Sequence, residues 1–145
     1  MRKMALIILI TLTTKILLAP GLAELIIVNE APCYRFDPML DAFKFIESNF
    51  RTDIVNRLGY TGILQLGQEM IDEANRICEL TGNPRRFTFP KSALDPIEAV
   101  QIWYIVQDYW NPKYDLKKAC KIWNPLASKK YYEKIHKRME IKKLL

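Results

Sequence analysis

From Asp37 onward, apolar residues fall into helical rows separated by short breaks. Met39, Ala42, Phe43, Ile46 and Phe50 recur at steps of three and four behind Asp37-Pro38, a pair suited to cap and open a helix, so a helix is predicted from Pro38 to Phe50. Between Arg51 and Leu66 the pattern breaks; Gly59 and Gly62 mark a turn-rich segment able to hold a short hairpin. Helical spacing returns from Gln68 to Leu80 through Met70, Ile71, Ala74 and Ile77, and Gly82-Asn83-Pro84 stops it. Arg85 to Leu94 reads as a loop. Asp95-Pro96-Ile97-Glu98 then repeats the cap and proline and adds a glutamate three residues after the cap. The helix it opens, Pro96 to Trp110, carries Ala99, Val100, Ile102, Trp103, Ile105, Val106 and Tyr109 on more than one face, as expected of a central buried helix. Asn111-Pro112 ends it. A shorter helix from Asp115 to Trp123 and a basic one from Ser128 to about Lys143 complete a single, mainly helical domain without repeats.

The chain's first residues follow a different logic. Arg2 and Lys3 precede the apolar run Met4 to Ile10, a threonine-rich interruption with Lys15, a second apolar patch from Ile16 to Ala19, and Pro20-Gly21-Leu22-Ala23. That order matches a secretory signal over residues 1–23, cleaved after Ala23; Lys15 keeps the run below the ~20 residues that a membrane span needs. A signal implies a periplasmic or secreted protein, with residues 24–145 as one domain and a membrane involved only through an uncleaved signal. Removing Arg2, Lys3 and Lys15 from the 22 basic residues, against 16 acidic ones, leaves a net charge of +3. Most of the basic residues lie late, between Lys117 and Lys143, as a face that is solvated or meets an anionic polymer or surface. Cys33, Cys78 and Cys120 have no CxxC spacing and His136 is the one histidine, so neither a metal nor another cofactor is expected. One disulfide with a leftover thiol and three free buried thiols both fit this spacing.

The candidate chemistry centres on Glu47. On a helix it shares a row with Phe43 and Phe50, and a carboxyl set against rings is desolvated, holds its proton to higher pH and can serve as a general acid. The bland alternative is a helix-end glutamate with its head in water. Gly62, in Leu58-Gly59-Tyr60-Thr61-Gly62-Ile63-Leu64-Gln65-Leu66, permits close backbone approach to a ligand, and Gln65 offers a donor and an acceptor to sugar hydroxyl and amide groups. Trp123-Asn124 and Tyr131 or Tyr132 can supply a polar and aromatic lining, although rings at such spacing are more often core.

Glu47-Ser48, the Gly62-Ile63-Leu64-Gln65-Leu66 segment, the helix opened by Leu94-Asp95-Pro96 and Ile122-Trp123-Asn124 together resemble the lysozyme-like superfamily, in its soluble lytic transglycosylase and goose-type lysozyme branch. The resemblance spans roughly Asp37 to Ile135. It implies a lysozyme-like α+β fold and cleavage of the β-1,4 bond between N-acetylmuramic acid and N-acetylglucosamine in peptidoglycan. Glu47 matches the acid, Ser48 a residue orienting it, and Gly62, Ile63 and Gln65 the substrate segment. Asn124 matches the cleft asparagine, with Tyr131 beside it. No second carboxylate occupies a matching position, Asp53 being the nearest, which favours the transglycosylase route ending in a 1,6-anhydro sugar. Pro125 departs from the small residue or glycine preferred after the asparagine. That departure supports a second expectation, a catalytically inactive glycan-binding or scaffold protein. The partners implied are peptidoglycan glycan strands and a secretion or conjugation assembly, met as a monomer and without nucleic acid.

Overall fold

The computed structural model describes residues 37–143, so the signal expectation and Cys33 lie outside the described residues. Six helices account for most of this stretch: α1 Pro38–Ser48, α2 Gln68–Thr81, α3 Lys91–Leu94, α4 Pro96–Trp110, α5 Leu116–Trp123 and α6 Lys129–Lys143. The fold is mainly helical, as the periodicity predicts.

The caps act where the sequence places them. Asp37 Oδ1 accepts from Met39 N and Leu40 N at 2.9 and 3.2 Å, and Asp95 Oδ1 from Ile97 N and Glu98 N at 2.8 and 3.1 Å. These carboxylates satisfy first-turn amides that have no partner inside their own helices. Helix α1 ends sooner than its apolar row predicts. Asn49 turns left-handed at φ 53° and Phe50 follows at φ 65°, which throws Phe50 out of the row. Its ring lies 5.9 Å from that of Phe45, with the Arg138 guanidinium 5.9 Å above it. Phe50 is therefore part of a surface cluster with Phe45, which corrects the expected row of Phe43, Glu47 and Phe50 on one helix face; the ring that meets the Glu47 carboxyl is that of Tyr131. The stretch predicted as a loop before Asp95 contains α3, whose first turn is tied by Thr88 N donating to Ser92 Oγ at 2.9 Å.

Helix α1 packs along α6, α2 along α4, and α5 bridges α4 to α6. At the centre Trp103 of α4 is fully buried, with the Phe43 ring 4.5 Å away and the Trp123 ring 4.7 Å away. Tyr131 of α6 meets Phe43 edge-on at 6.2 Å. Four helices thus share one aromatic cluster. Truncating a large buried ring to alanine costs roughly 3–5 kcal/mol, so this cluster is a major part of the core.

The segment from Arg51 to Leu66 has less regular structure than the predicted hairpin. Among the described residues it forms only two isolated antiparallel bridges, Val55 with Thr61 and Thr61 with Leu66. Its backbone is nevertheless held closely: Thr61 and Leu66 exchange both amide bonds at 2.9 Å, and Gly62 N donates to Ile54 O at 2.8 Å. Gly62 adopts φ +79°, and a Cβ there would lie 1.8 Å from the Ala93 carbonyl oxygen of α3. The close approach that requires a glycine is thus to α3, not to a ligand.

This contact yields a paired test. Gly59 also has a positive φ, +86°, but open space where its Cβ would point. Gly59→Ala is expected to cost about 1–2 kcal/mol, the left-handed backbone penalty alone. Gly62→Ala adds a backbone overlap and is expected to cost at least about 4 kcal/mol or to prevent folding. Denaturant titration of both variants checks this, and equal costs would contradict the Gly62–Ala93 packing.

Candidate functional site

Glu47, the penultimate residue of α1, faces a cleft of about 900 Å³. Gln65, Trp123 and Asn124 line the same cleft, with Met70 and Val106 among its apolar residues. Three of the residues predicted from sequence therefore meet in one cavity: Glu47, Gln65 and Asn124. The others have supporting positions.

Ser48 is buried and its Oγ donates to Ile63 O at 2.8 Å and to Lys44 O at 3.0 Å. It ties the end of α1 to the Gly62–Leu66 segment and bears on Glu47 only through that tie. Ile63 is the other half of the contact, a buried residue whose carbonyl holds Ser48. Gly62, expected to bring backbone to a ligand, instead accepts from Gln65 Nε2 at 2.9 Å and from Gln65 N at 3.1 Å. Gln65, at φ 49°, is thereby locked, with its amide nitrogen committed to the segment's own backbone. Its amide oxygen is the acceptor left for a ligand. Tyr131 stands behind the acid and donates from its hydroxyl to Glu47 Oε1.

Asn124 caps the end of α5 and opens a tight turn. Its Oδ1 accepts from Leu126 N at 3.1 Å, and Ala127 N donates to its carbonyl at 2.8 Å. Pro125 is the first central residue of that turn, a position where its fixed φ fits and its missing amide leaves nothing unpaired. Pro125 thus fits the turn without leaving an amide unpaired, and both it and Asn124 line the cleft.

Opposing effects set the proton affinity of Glu47. Burial raises its pKa above the ordinary glutamate value, and the Tyr131 hydrogen bond pulls it back in part. Tyr131, itself buried and facing the carboxylate, is pushed well above the usual phenol range, so it remains the donor. A half-buried carboxyl of raised pKa, open to a cleft, has the character of a general acid.

The cleft holds two more carboxylates that sequence reasoning did not place there, Glu69 and Glu73 of α2. Asp53, the acid it did name, is 81 % exposed, lies 3.8 Å from Arg51 Nε and does not line the cleft. Glu73 takes two bonds from Arg76 and one from Trp110, and Arg76 holds its pKa below the ordinary value. Both of its oxygens are engaged, Oε1 twice and Oε2 once. Glu69 folds back over Gly67, where a Cβ would fall 2.5 Å from its carboxylate, and its carboxylate beside Tyr60 holds that phenol above its ordinary pKa. The available signal was spacing: Glu69 and Glu73 lie four residues apart on the helix that follows the Gly62–Leu66 segment, and so share a face. Cys78 and Cys120 are buried free thiols, and burial pushes Cys120 up to about 11.

The raised pKa of Glu47 has a consequence for stability. The native state holds this proton more tightly than the unfolded chain does, so ionising the group costs native stability. The penalty is absent below the ordinary glutamate range, about pH 4, grows as pH rises above it, and is complete once pH passes the raised native value. Glu47→Gln is therefore expected to unfold at higher temperature than wild type at pH 7, with the gap closing near pH 4. Calorimetry at the two pH values checks this. Tyr131→Phe removes the bond that lowers the Glu47 pKa and is expected to raise it further, as read from the carboxyl carbon resonance in an NMR titration. Compared with known proteins, the chain matches no family model, no curated protein and no solved structure.

Proposed function

We propose that this chain is an exported peptidoglycan-cleaving enzyme of lysozyme-like fold, a lytic transglycosylase that uses Glu47 as its one acid and base. The observation that carries the proposal is the Glu47 carboxyl: half-buried, of raised pKa, held by Tyr131 and open to a cleft also lined by Gln65 and Asn124. In this reading Glu47 gives its proton to the glycosidic oxygen as the bond to the N-acetylmuramic acid C1 breaks. The resulting carboxylate then takes the proton of that sugar's own C6 hydroxyl, whose oxygen bonds to C1. The products are a shortened strand and a 1,6-anhydro end, no water is consumed, and Glu47 returns to its protonated form. Tyr131 keeps the reacting oxygen in place and stabilises the carboxylate between the two steps. Gln65 and Asn124 address the acetamido and hydroxyl groups of the strand.

A second outcome has its own observation. Glu69 lines the cleft, is exposed and is free of the cationic clamp that occupies Glu73. A second carboxylate of this kind is what a water-using, lysozyme-type reaction requires. A third reading, a catalytically inactive scaffold that holds glycan without cutting it, rests on Pro125, which lines the cleft directly after Asn124.

The test is digestion of purified peptidoglycan by wild type, Glu47→Gln and Glu69→Gln, with released muropeptides identified by mass spectrometry. The expected result is anhydro ends from wild type and Glu69→Gln, and a loss of at least about a thousandfold in Glu47→Gln. Hydrated ends that disappear in Glu69→Gln would establish the hydrolase. Equally little release from wild type and Glu47→Gln would leave the scaffold.

A further inference from the structure

Trp110 is a cleft residue that the proton chemistry does not use. It ends α4 and is 44 % exposed, yet it is held on several sides. Its indole Nε1 donates to Glu73 Oε1 at 2.6 Å, the Arg76 guanidinium lies 5.8 Å from its ring centre, and Tyr109 meets it edge-on at 5.0 Å. Arg76 is fixed in turn by two bonds to Glu73, both at 2.8 Å. An exposed indole ordinarily samples several rotamers, and confining it costs side-chain entropy. What confinement provides is an aromatic surface already in place before a ligand arrives.

The chemistry around that surface selects its occupant. A β-linked pyranose carries C–H groups on its faces and hydroxyls at its edges. The ring face of an indole, electron-rich and apolar, suits the former, and nearby polar side chains suit the latter. Glu69, Tyr60 and Lys121 line the same cleft and supply them. Lipid chains are poorly matched to a cleft holding several carboxylates. A nucleic acid strand is disfavoured by three glutamates against one lysine among the lining residues.

We propose that Trp110 is the stacking platform of a second saccharide subsite, one that binds a sugar unit of the strand beyond the bond addressed by Glu47. This rests on the glycan-cleaving reading and extends it. Glu47 belongs to the α1–α6 side of the cleft, where Tyr131 holds it, and Trp110 to the α2–α4 side, where Glu73 holds it. The cavity of about 900 Å³ connecting them is at the upper end of the range for small-molecule sites, with room for several sugar rings. Glu73 and Arg76 are positioning residues, acting through the indole.

The test uses β-1,4-linked N-acetylglucosamine oligomers, from trimer to hexamer, titrated into Glu47→Gln protein so that no cleavage intervenes. Affinity is measured by calorimetry, and the Trp110 indole N–H resonance is followed by NMR. The expected result is affinity that rises with oligomer length, a saturable shift of the Trp110 resonance, and a loss of about tenfold for the hexamer but little for the trimer on adding Trp110→Ala. Trp110→Phe, which keeps an aromatic face and the local packing, is expected to retain most of the hexamer affinity. An unmoved Trp110 resonance, equal affinities with and without the indole at every length, or no binding of any oligomer would overturn the subsite. Failure of the cleavage reading looks different: wild type would release no muropeptides while Trp110-dependent binding persisted. Cleavage by wild type with no effect of Trp110→Ala on binding would remove the subsite alone.

Discussion

The contact between Trp103 and the two rings on either side of it, Phe43 and Trp123, sets the geometry of everything around the cleft. Each ring belongs to a different helix, and each of the outer two leads directly to a residue of the candidate site. Phe43 lies one helical turn before Glu47 on α1. Trp123 precedes Asn124, and its indole nitrogen donates to Leu64 O at 3.2 Å, which fastens the Gly62–Leu66 segment to α5. Tyr131, edge-on to Phe43, reaches Glu47 itself. The burial of rings that stabilises the domain is thus also what brings Glu47 and the two amide side chains to one cavity, with Tyr131 behind Glu47.

The segment between Arg51 and Leu66 shows how a site can be held without regular secondary structure. Ser48 fixes it to α1, Trp123 to α5, and Gly62 lets it press against α3. Backbone amides and carbonyls that a sheet would pair are paired by turns and two bridges. Gln65 sits within this mesh at positive φ, a strained conformation for a residue with a side chain. The strain is supported by the bonds from its own amide group back to Gly62. Backbone held this way shifts little when a ligand binds, as positioning of a substrate requires.

Local signals carried most of what the sequence could be made to disclose. Asp-Pro pairs and the spacing of apolar residues placed α1, α2, α4, α5 and α6 within a few residues, because capping and amphipathicity are properties of neighbours along the chain. The end of α1 was misplaced because Asn49 adopts a left-handed turn, and nothing in an apolar row excludes Phe50 from continuing it. Roles that depend on distant partners were harder to see. Gly62 was legible as a glycine that must be one, but its reason, the Ala93 carbonyl, lies on a helix too short to leave a periodic trace. Ser48 was legible as a neighbour of the acid, while its bond to Ile63 depends on how the chain returns. Glu69, Glu73 and Trp110 carry no motif that marks them in the sequence, and they reach the cleft through the packing of α2 on α4.

The three cleft glutamates divide into roles through their surroundings rather than their type. Glu73 is engaged on both oxygens by a guanidinium and an indole, and its pKa is held below the ordinary value. Glu47 has one neutral donor and a desolvated position, so its proton is retained to higher pH and can be given up and recovered. Glu69 is exposed to water and free of that guanidinium. When carboxylates in one cavity are driven apart in this way, the one with the raised value and an open face is the candidate acid, and the one neutralised by arginine holds its neighbours in place. On the glycan-cleaving reading proposed above, that division leaves the choice between using the sugar's own hydroxyl and using water to a single side chain, Glu69, and to whether a water can stand between it and the sugar carbon as the bond to the leaving oxygen breaks.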